Sequence, residues 1–255
     1  MTKSRTRSQW ICHPTNPMPN DYFQFKQFRI NQDQCAMKVC TDACVLGAYA
    51  DVSHATRILD IGTGTGLLAL MLAQRTDARI DAVEIDKAAA HQAAENAAQS
   101  PWASRIRVVE NSILDFAQTR PAPYDCIVSN PPFFSNHLKR RDARQNAALH
   151  DNTLQLPDLV RVVQQLLTPQ GKFIVLLPPH ESTLLAGFCA ETGFHKTEQL
   201  RLYDCVGGKL IRVIGGFGFS KDTILQTSDL CIKDVGNQHY TDEFVRLLQP
   251  YYLHL

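Results

Sequence analysis

Several things are missing from this chain, and each absence narrows the field. No apolar run is long enough to cross a bilayer. The basic start, Met1-Thr2-Lys3-Ser4-Arg5-Thr6-Arg7, is followed by no apolar signal core. The expectation is a cytoplasmic protein with no membrane partner. No Cys-x-x-Cys pair occurs, and the eight cysteines (12, 35, 40, 44, 126, 189, 205 and 231) lack histidine partners at zinc spacing. No metal site is therefore expected, and the thiols read as small apolar residues in a reducing compartment. A surplus of one charge is also missing: the formal net charge is +1 over 255 residues. That total neither implies nor excludes nucleic acid, because local patches decide such binding. No internal repeat is visible, and nothing implies an oligomer.

What is present suits a packed globule: 44% hydrophobic and 20% charged residues. Residues 1–20 are polar, with prolines at 14, 17 and 19, and read as a flexible basic tail. Residues 21–255 read as one domain: a cap over 21–50, a core sheet over 51–220 and an extension over 221–255. In the cap, Phe23, Phe25, Phe28 and Ile30 alternate with polar residues, which predicts one or two short strands. Residues 41–50 predict a helix with Thr41 or Asp42 as N-cap, which Gly47 weakens only a little.

Further on, strands are predicted at 57–61, 80–84, 106–109, 126–128 and 172–177, and helices at 67–74, 87–99, 154–167 and 180–191. Residues 194–203 and 210–219 alternate well enough for an antiparallel pair at the sheet's edge. A last helix is expected over 240–253. Strands alternating with helices, then a hairpin, define an α/β chain with a mainly parallel sheet and an antiparallel edge. Residues 134–152 are polar and basic and read as a mobile loop.

The strand, turn and helix around Asp60-Ile61-Gly62-Thr63-Gly64-Thr65-Gly66 carry the first chemical signal. Glycines let a backbone turn tightly and approach a ligand closely, and the helix start behind them offers free N–H groups. The spacing is Gly-x-Gly-x-Gly, not the Gly-x-Gly-x-x-Gly of dinucleotide sites. Asp60 would repel a pyrophosphate but suits the ammonium of a methionyl group. Glu84, at the end of the next strand, is placed to accept ribose hydroxyls. Together these favour S-adenosylmethionine over a nicotinamide cofactor. The candidate contacts are Asp60, Gly62, Thr63, Gly64, Glu84 and the adjoining Ile85. Bland readings stand beside them: Asp60 as a helix-capping residue, Glu84 as a solvated strand end. After the third strand, the donor's adenine has three candidate partners: the Ser112 hydroxyl, the Ile113 N–H or the Asp115 carboxylate.

The second signal is Ser129-Asn130-Pro131-Pro132-Phe133-Phe134, directly after a buried strand. The prolines end the ladder and stiffen the turn. An amine conjugated to a ring is a poor nucleophile, and two rigid acceptors on its N–H bonds draw it toward a pyramidal shape. The Asn130 side-chain oxygen and the Pro131 carbonyl are the candidates. Pro132 supplies stiffness, and Phe133 stacks on the base, an interaction worth about 1–3 kcal/mol. Asn130 also borders the donor. Should the target be RNA, Lys139, Arg140, Arg141 and Arg144, with Phe134, are its candidate contacts. The bland alternatives are a strand-ending turn with a core plug, and a solvated basic loop.

These motifs resemble the Rossmann-like S-adenosylmethionine-dependent amino-methyltransferases. Within them, several stretches resemble the bacterial tRNA1(Val) (adenine-N6)-methyltransferase family: Phe25-Lys26-Gln27-Phe28, Cys35-Ala36-Met37-Lys38-Val39, residues 41–48, Ser100-Pro101-Trp102-Ala103, and Phe244-x-x-Leu247-Leu248-x-x-Tyr251-Tyr252-Leu253. The resemblance implies a class I methyltransferase fold with a seven-stranded mixed sheet, parallel but for one antiparallel edge strand. It implies a tRNA substrate, methylated on the N6 amine of an adenine beside the anticodon of a valine tRNA. It also places Lys38 and Thr41 near the methionyl end of the donor. One departure is Ser112, where the family often has an acid. Asn-Pro-Pro is shared with glutamine-modifying enzymes, so a glutamine methyltransferase is one alternative. A non-catalytic RNA-binding module on the same scaffold is another.

Overall fold

Along the central strands, apolar side chains point to both faces, so the sheet has to be covered on both. The computed structural model describes residues 21–35, 37–132, 154–221 and 223–255. The alternating aromatics near the start form a hairpin, β1 (Tyr22–Gln24) with β2 (Arg29–Asn31). The main sheet holds β3 (Arg57–Ile61), β4 (Arg79–Glu84), β5 (Ile106–Glu110), β6 (Tyr124–Ser129), β7 (Leu167–Leu177), β8 (His195–Cys205), β9 (Leu210–Gly218) and β10 (Gln226–Lys233). Their spatial order is β10-β8-β9-β7-β6-β3-β4-β5. Strands β3 to β7 run parallel, and β9 is antiparallel to both β7 and β8.

The expected seven strands are thus present, and an eighth, β10, joins them. It pairs in parallel with β8, and the antiparallel strand β9 lies inside the sheet, between β7 and β8. β10 is hard to see in sequence because an edge strand buries little: among its residues only Leu230 is buried. Its backbone ladder to β8 runs from Gln226 to Lys233, and a two-pronged ion pair, Arg201 to Asp229 at 2.6 and 2.8 Å, is added on the exposed side. The β7 strand also starts earlier than expected. Residues 168–171 loop out between the pairs Tyr124–Leu167 and Cys126–Lys172, where the register shifts.

One face is covered by α1 (Thr41–Tyr49), α2 (Leu67–Ala73), α3 (Lys87–Ala98), α7 (Asp242–Leu248) and the hairpin. The other is covered by α4 (Ile113–Gln118), α5 (Leu156–Leu166) and α6 (Pro179–Glu191). Strand residues divide between the two cores by parity: Ile58, Ile80, Cys126 and Ile174 face one, Leu59, Val83, Ile127 and Val175 the other. Among the described residues no helix is long and apolar enough to cross a membrane.

Two helices end differently from expectation, and one is new. The N-cap of α1 is Cys40, with no side-chain cap. Thr41 and Asp42 are already helical because their side chains bond elsewhere, Thr41 to the Tyr252 hydroxyl and Asp42 to Arg212 at 2.9 Å. Helix α4 was not anticipated; at 6 residues it is too short to show a period, but Ser112 caps it by accepting from the Asp115 N–H. Helix α7 is shorter than the predicted 240–253, because Pro250 has no N–H to continue it. The chain beyond it folds back instead. The Tyr251 hydroxyl donates to Met71 O on α2 at 3.2 Å, and the Lys26 N–H donates to Tyr251 O at 2.8 Å.

Gly47 is where α1 crosses α2. A Cβ added there would lie 2.7 Å from Met71 Sδ and 3.0 Å from Met71 Cβ, so the glycine sets the approach of the two helices. Gly47→Val should destabilise the protein by about 1–3 kcal/mol, read from the urea midpoint. Adding Met71→Ala should recover part of that loss, and a neutral Gly47→Val would show that the helices are not in close contact.

Candidate active site

The glycine turn joins β3 to α2 at the carboxyl end of the parallel strands, the usual place for ligands in such sheets. Gly62, Gly64 and Gly66 have φ of 71°, 56° and 85°, a region in which side chains with a Cβ are strained. The turn is pinned from the neighbouring strand. Gly62 and Thr63 donate to Val83 O at 2.9 and 3.1 Å, and the Gly64 N–H donates to Glu84 Oε2 at 2.8 Å. The other Glu84 oxygen accepts from the Asp86 N–H at 2.9 Å. A Cβ on Gly62 would meet nothing within 4 Å, so the turn faces open space.

Asp60 is fully buried. Its Oδ2 accepts from the Thr63 hydroxyl at 2.6 Å and from the Ala69 N–H at 3.2 Å. Ala69 is the third residue of α2, whose N-cap is Gly66 and has no side chain to offer. Asp60 therefore caps this helix from β3, the structural role set beside the donor-binding one in the sequence. Oδ1 has no hydrogen-bond partner among the described residues. Burial pushes the Asp60 carboxyl up to about 7, its two hydrogen bonds oppose this, and the Glu84 charge adds to it. Thr63 turns its hydroxyl to Asp60.

The start of α4 borders the same end of β4. The Asn111 N–H donates to Glu84 O at 2.9 Å, which docks this loop on the end of β4. Ser112 Oγ donates to Asp115 Oδ2 at 2.8 Å and accepts from the Asp115 N–H at 3.0 Å. Two of the three candidate partners are thus bonded to each other. The Ile113 N–H, at the first helical position, is one of the donors that a helix leaves without an internal acceptor. Ile85 is 57% exposed beside Glu84, an apolar face at the rim. An orphaned buried carboxylate oxygen, open space over the turn and an exposed isoleucine all fit a donor with a cationic end, a ribose and a flat base.

The Asn-Pro-Pro turn is brought to the same place by β6. Ser129 pairs with Ile61, and its hydroxyl donates to Ile61 O at 2.9 Å. Asn130 therefore leaves β6 directly alongside Gly62. Asn130 is half-buried, Pro131 buried and Pro132 exposed. Lys38 is exposed, and Thr41 faces Tyr252 as described above. Phe133, Phe134, Lys139, Arg140, Arg141 and Arg144 lie outside the described residues, as does the tail 1–20. Among the described residues no group of His, Cys, Asp or Glu could hold a metal ion.

Two residues on α3 bear on this site and were missed in the sequence, where the helix looked simply Ala-rich. Asn96 Nδ2 donates to Thr65 O of the turn and to Asn31 O, both at 2.9 Å. Gln92 Nε2 donates to Asp33 Oδ1 at 2.6 Å. A carboxamide amid alanines on the buried face was the available signal.

A parallel sheet with a Gly-x-Gly-x-Gly turn after its first strand and an acid ending the next defines the class I methyltransferases. Residues 44–183 match the model of the methyltransferase small domain. The chain is 44% identical over 237 residues to a tRNA1(Val) (adenine(37)-N6)-methyltransferase of Dyadobacter fermentans, covering 92% of this chain and 98% of that one. It is 43% identical over 240 residues to a protein of the same name from Bacteroides thetaiotaomicron, covering 93% and 100%. Solved structures share the fold at low identity. A predicted O-methyltransferase of Agrobacterium tumefaciens has a TM-score of 0.63 at 18% identity over 82% of this chain and 96% of that one. A ribosomal protein L11 methylase of Lactobacillus delbrueckii subsp. bulgaricus has 0.53 at 18% over 74% and 83%. The chain belongs to the tRNA1(Val) (adenine(37)-N6)-methyltransferase family within the small-domain methyltransferases.

The raised Asp60 value has a measurable consequence. A carboxyl whose pKa rises on folding contributes stability that is complete below its unfolded pKa of about 3.9. It is lost as pH rises through the folded value of about 7. Relative to Asp60→Asn, which keeps an acceptor oxygen, the donor-free wild type should lose on the order of a few kcal/mol between those limits. Urea denaturation at a series of pH values checks this, and a flat difference would mean that Asp60 ionises normally.

Proposed function

We propose that this protein transfers a methyl group from S-adenosylmethionine to the N6 amine of an adenine in tRNA, the adenine beside the anticodon of a valine tRNA. The observation that carries the chemistry is the Ser129–Ile61 pairing, which sets Asn130-Pro131 next to the glycine turn. The choice of adenine in tRNA is supported by the names of relatives sharing 42–44% of residues over nearly the whole chain. In this reading residues 21–255 work as one catalytic unit in the cytoplasm.

When bound, the donor supplies an electrophilic methyl group on a sulfonium. The residues of this chain do the rest. Glu84 accepts from the ribose hydroxyls with lone pairs left over from Gly64 and Asp86, and Ile85 packs on the adenine of the donor. Asp60 Oδ1 provides negative charge toward the donor's ammonium, with Lys38 and Thr41 at the same end. Gly62, Thr63 and Gly64 shape the floor, and Ile113 with Ser112 meets the donor adenine's edge. The Asn130 Oδ1 and the Pro131 carbonyl accept the two N–H bonds of the target amine. Held so, the nitrogen lone pair is withdrawn from the ring and directed at the methyl carbon. Pro131 and Pro132 keep both acceptors from relaxing. The product ammonium is acidic and releases its proton to solvent, so no strong base is needed.

For the target, Phe133 is the stacking platform. Phe134, Lys139, Arg140, Arg141 and Arg144 follow the RNA backbone. An anticodon loop offers bases that are already unpaired, which lowers the cost of turning one into a pocket.

The test is methyl transfer from labelled donor to unmodified tRNA, with nuclease digestion to locate N6-methyladenosine. Asn130→Ala should lower kcat by about 100-fold or more. Label found only on a glutamine of a protein would overturn the tRNA reading, and full activity in Asn130→Ala would overturn the assigned chemistry.

A further inference from the structure

Helix α3 buries a row of alanines, Ala89, Ala90, Ala93 and Ala97, and two carboxamides, Gln92 and Asn96, which are 0% and 1% exposed. Buried amides are costly unless their hydrogen bonds are made, and these two are four residues apart, on one face of the helix. Both are used, and both on the same target. Asn96 Oδ1 accepts from the Asn31 N–H at 2.9 Å while its Nδ2 donates to Asn31 O and to Thr65 O. Gln92 Oε1 accepts from the Gln34 N–H at 3.2 Å while its Nε2 donates to Asp33. The residue between them, Ala93, packs under the turn: a Cβ on Gly66 would lie 3.5 Å from its Cα.

The segment so held reaches the donor turn. Cys35 Sγ is 4.0 Å from where a Gly64 Cβ would stand. It is also near enough to Glu84 and Asp86 that their charges add to burial in raising its thiol pKa. Past β2, Gln32 keeps one backbone bond, its N–H to Asp21 O at 2.7 Å, and beyond it the N–H groups of Gln34 and Val39 go to side chains. Gln34 is bonded by Gln92, and Val39 donates to Gln32 Oε1 at 2.8 Å.

We propose that Gln92 and Asn96 are positioning residues for the donor site: they clamp Asn31–Cys35 onto the Gly62–Gly66 turn, so that this segment forms a wall of the donor pocket beside Glu84. The inference rests on the reading of that turn as the donor site. Neither carboxamide touches the donor; each acts through the segment it holds. Loss of the clamp therefore weakens donor binding and leaves the handling of the target amine intact.

The test combines calorimetry with S-adenosylhomocysteine, steady-state kinetics on tRNA and hydrogen exchange of the free protein. Asn96→Ala should weaken binding by about tenfold and raise the donor KM likewise, with kcat and the tRNA KM changed by less than about threefold. Exchange in residues 30–35 should rise. Because removing a buried amide can simply unfold the chain, a charge pair provides a second arm. Gln92→Glu sets a carboxylate against Asp33 and should weaken donor binding, and adding Asp33→Asn restores a donor–acceptor pair and should bring affinity back to within about threefold. Unchanged donor affinity in folded Asn96→Ala and Gln92→Glu overturns the inference while leaving the donor site standing. So does a loss that Asp33→Asn does not repair. A wild type that binds no donor overturns the donor-site reading, and this inference with it.

Discussion

The site depends on keeping the Gly62–Gly66 turn in a backbone shape that only glycine adopts without strain. Two carboxylates do this from adjacent strands. Glu84 reaches across from β4 to the Gly64 N–H, and Asp60 reaches forward from β3 to cap α2 at Ala69. With the turn fixed, the first free N–H groups of α2, the end of β4 and the exit of β6 share one edge of the sheet. Every chemical role argued for this protein follows from that shared edge.

Asp60 shows how one residue answers to two demands. As a cap it needs only one oxygen, and Oδ2 takes both hydrogen bonds. The other oxygen is buried with no described partner, an arrangement that is costly for a charged group in a protein interior. A cationic ligand end beside Oδ1 would relieve that cost, and its binding would then be thermodynamically linked to the protonation of Asp60. The same economy is visible at Glu84, where both oxygens are held by backbone N–H groups and still have lone pairs to offer.

Much of this was legible in the chain. The strands around Asp60, Glu84 and Val128 read as short apolar runs bounded by turn residues, and the glycine spacing pointed to the right ligand class. The misreadings share a cause. Strand β10 was invisible because this edge strand buries one residue and is held mainly by its backbone ladder to β8. Helix α4 was invisible because it is shorter than two turns. The cap of α1 was misplaced because the Thr41 and Asp42 side chains are taken by Tyr252 and Arg212, far away in sequence. Gln92 and Asn96 were overlooked because a helix rich in alanine looks complete by itself, and their partners are about 60 residues upstream.

What the sequence by itself determined was local: glycines where φ is positive, prolines where a ladder must stop, and alternating apolar residues where a strand has two covered faces. These follow from sterics and periodicity within a few residues, so the turn and the Asn-Pro-Pro motif were readable as they stood. Only the tertiary structure decided that Asp60 points inward to cap α2, that Ser112 and Asp115 bond each other, and that Asn31–Cys35 lies against the glycine turn. Those outcomes depend on which acceptor a buried donor meets first, and that is set by the packing of β3, β4 and α3 around one another.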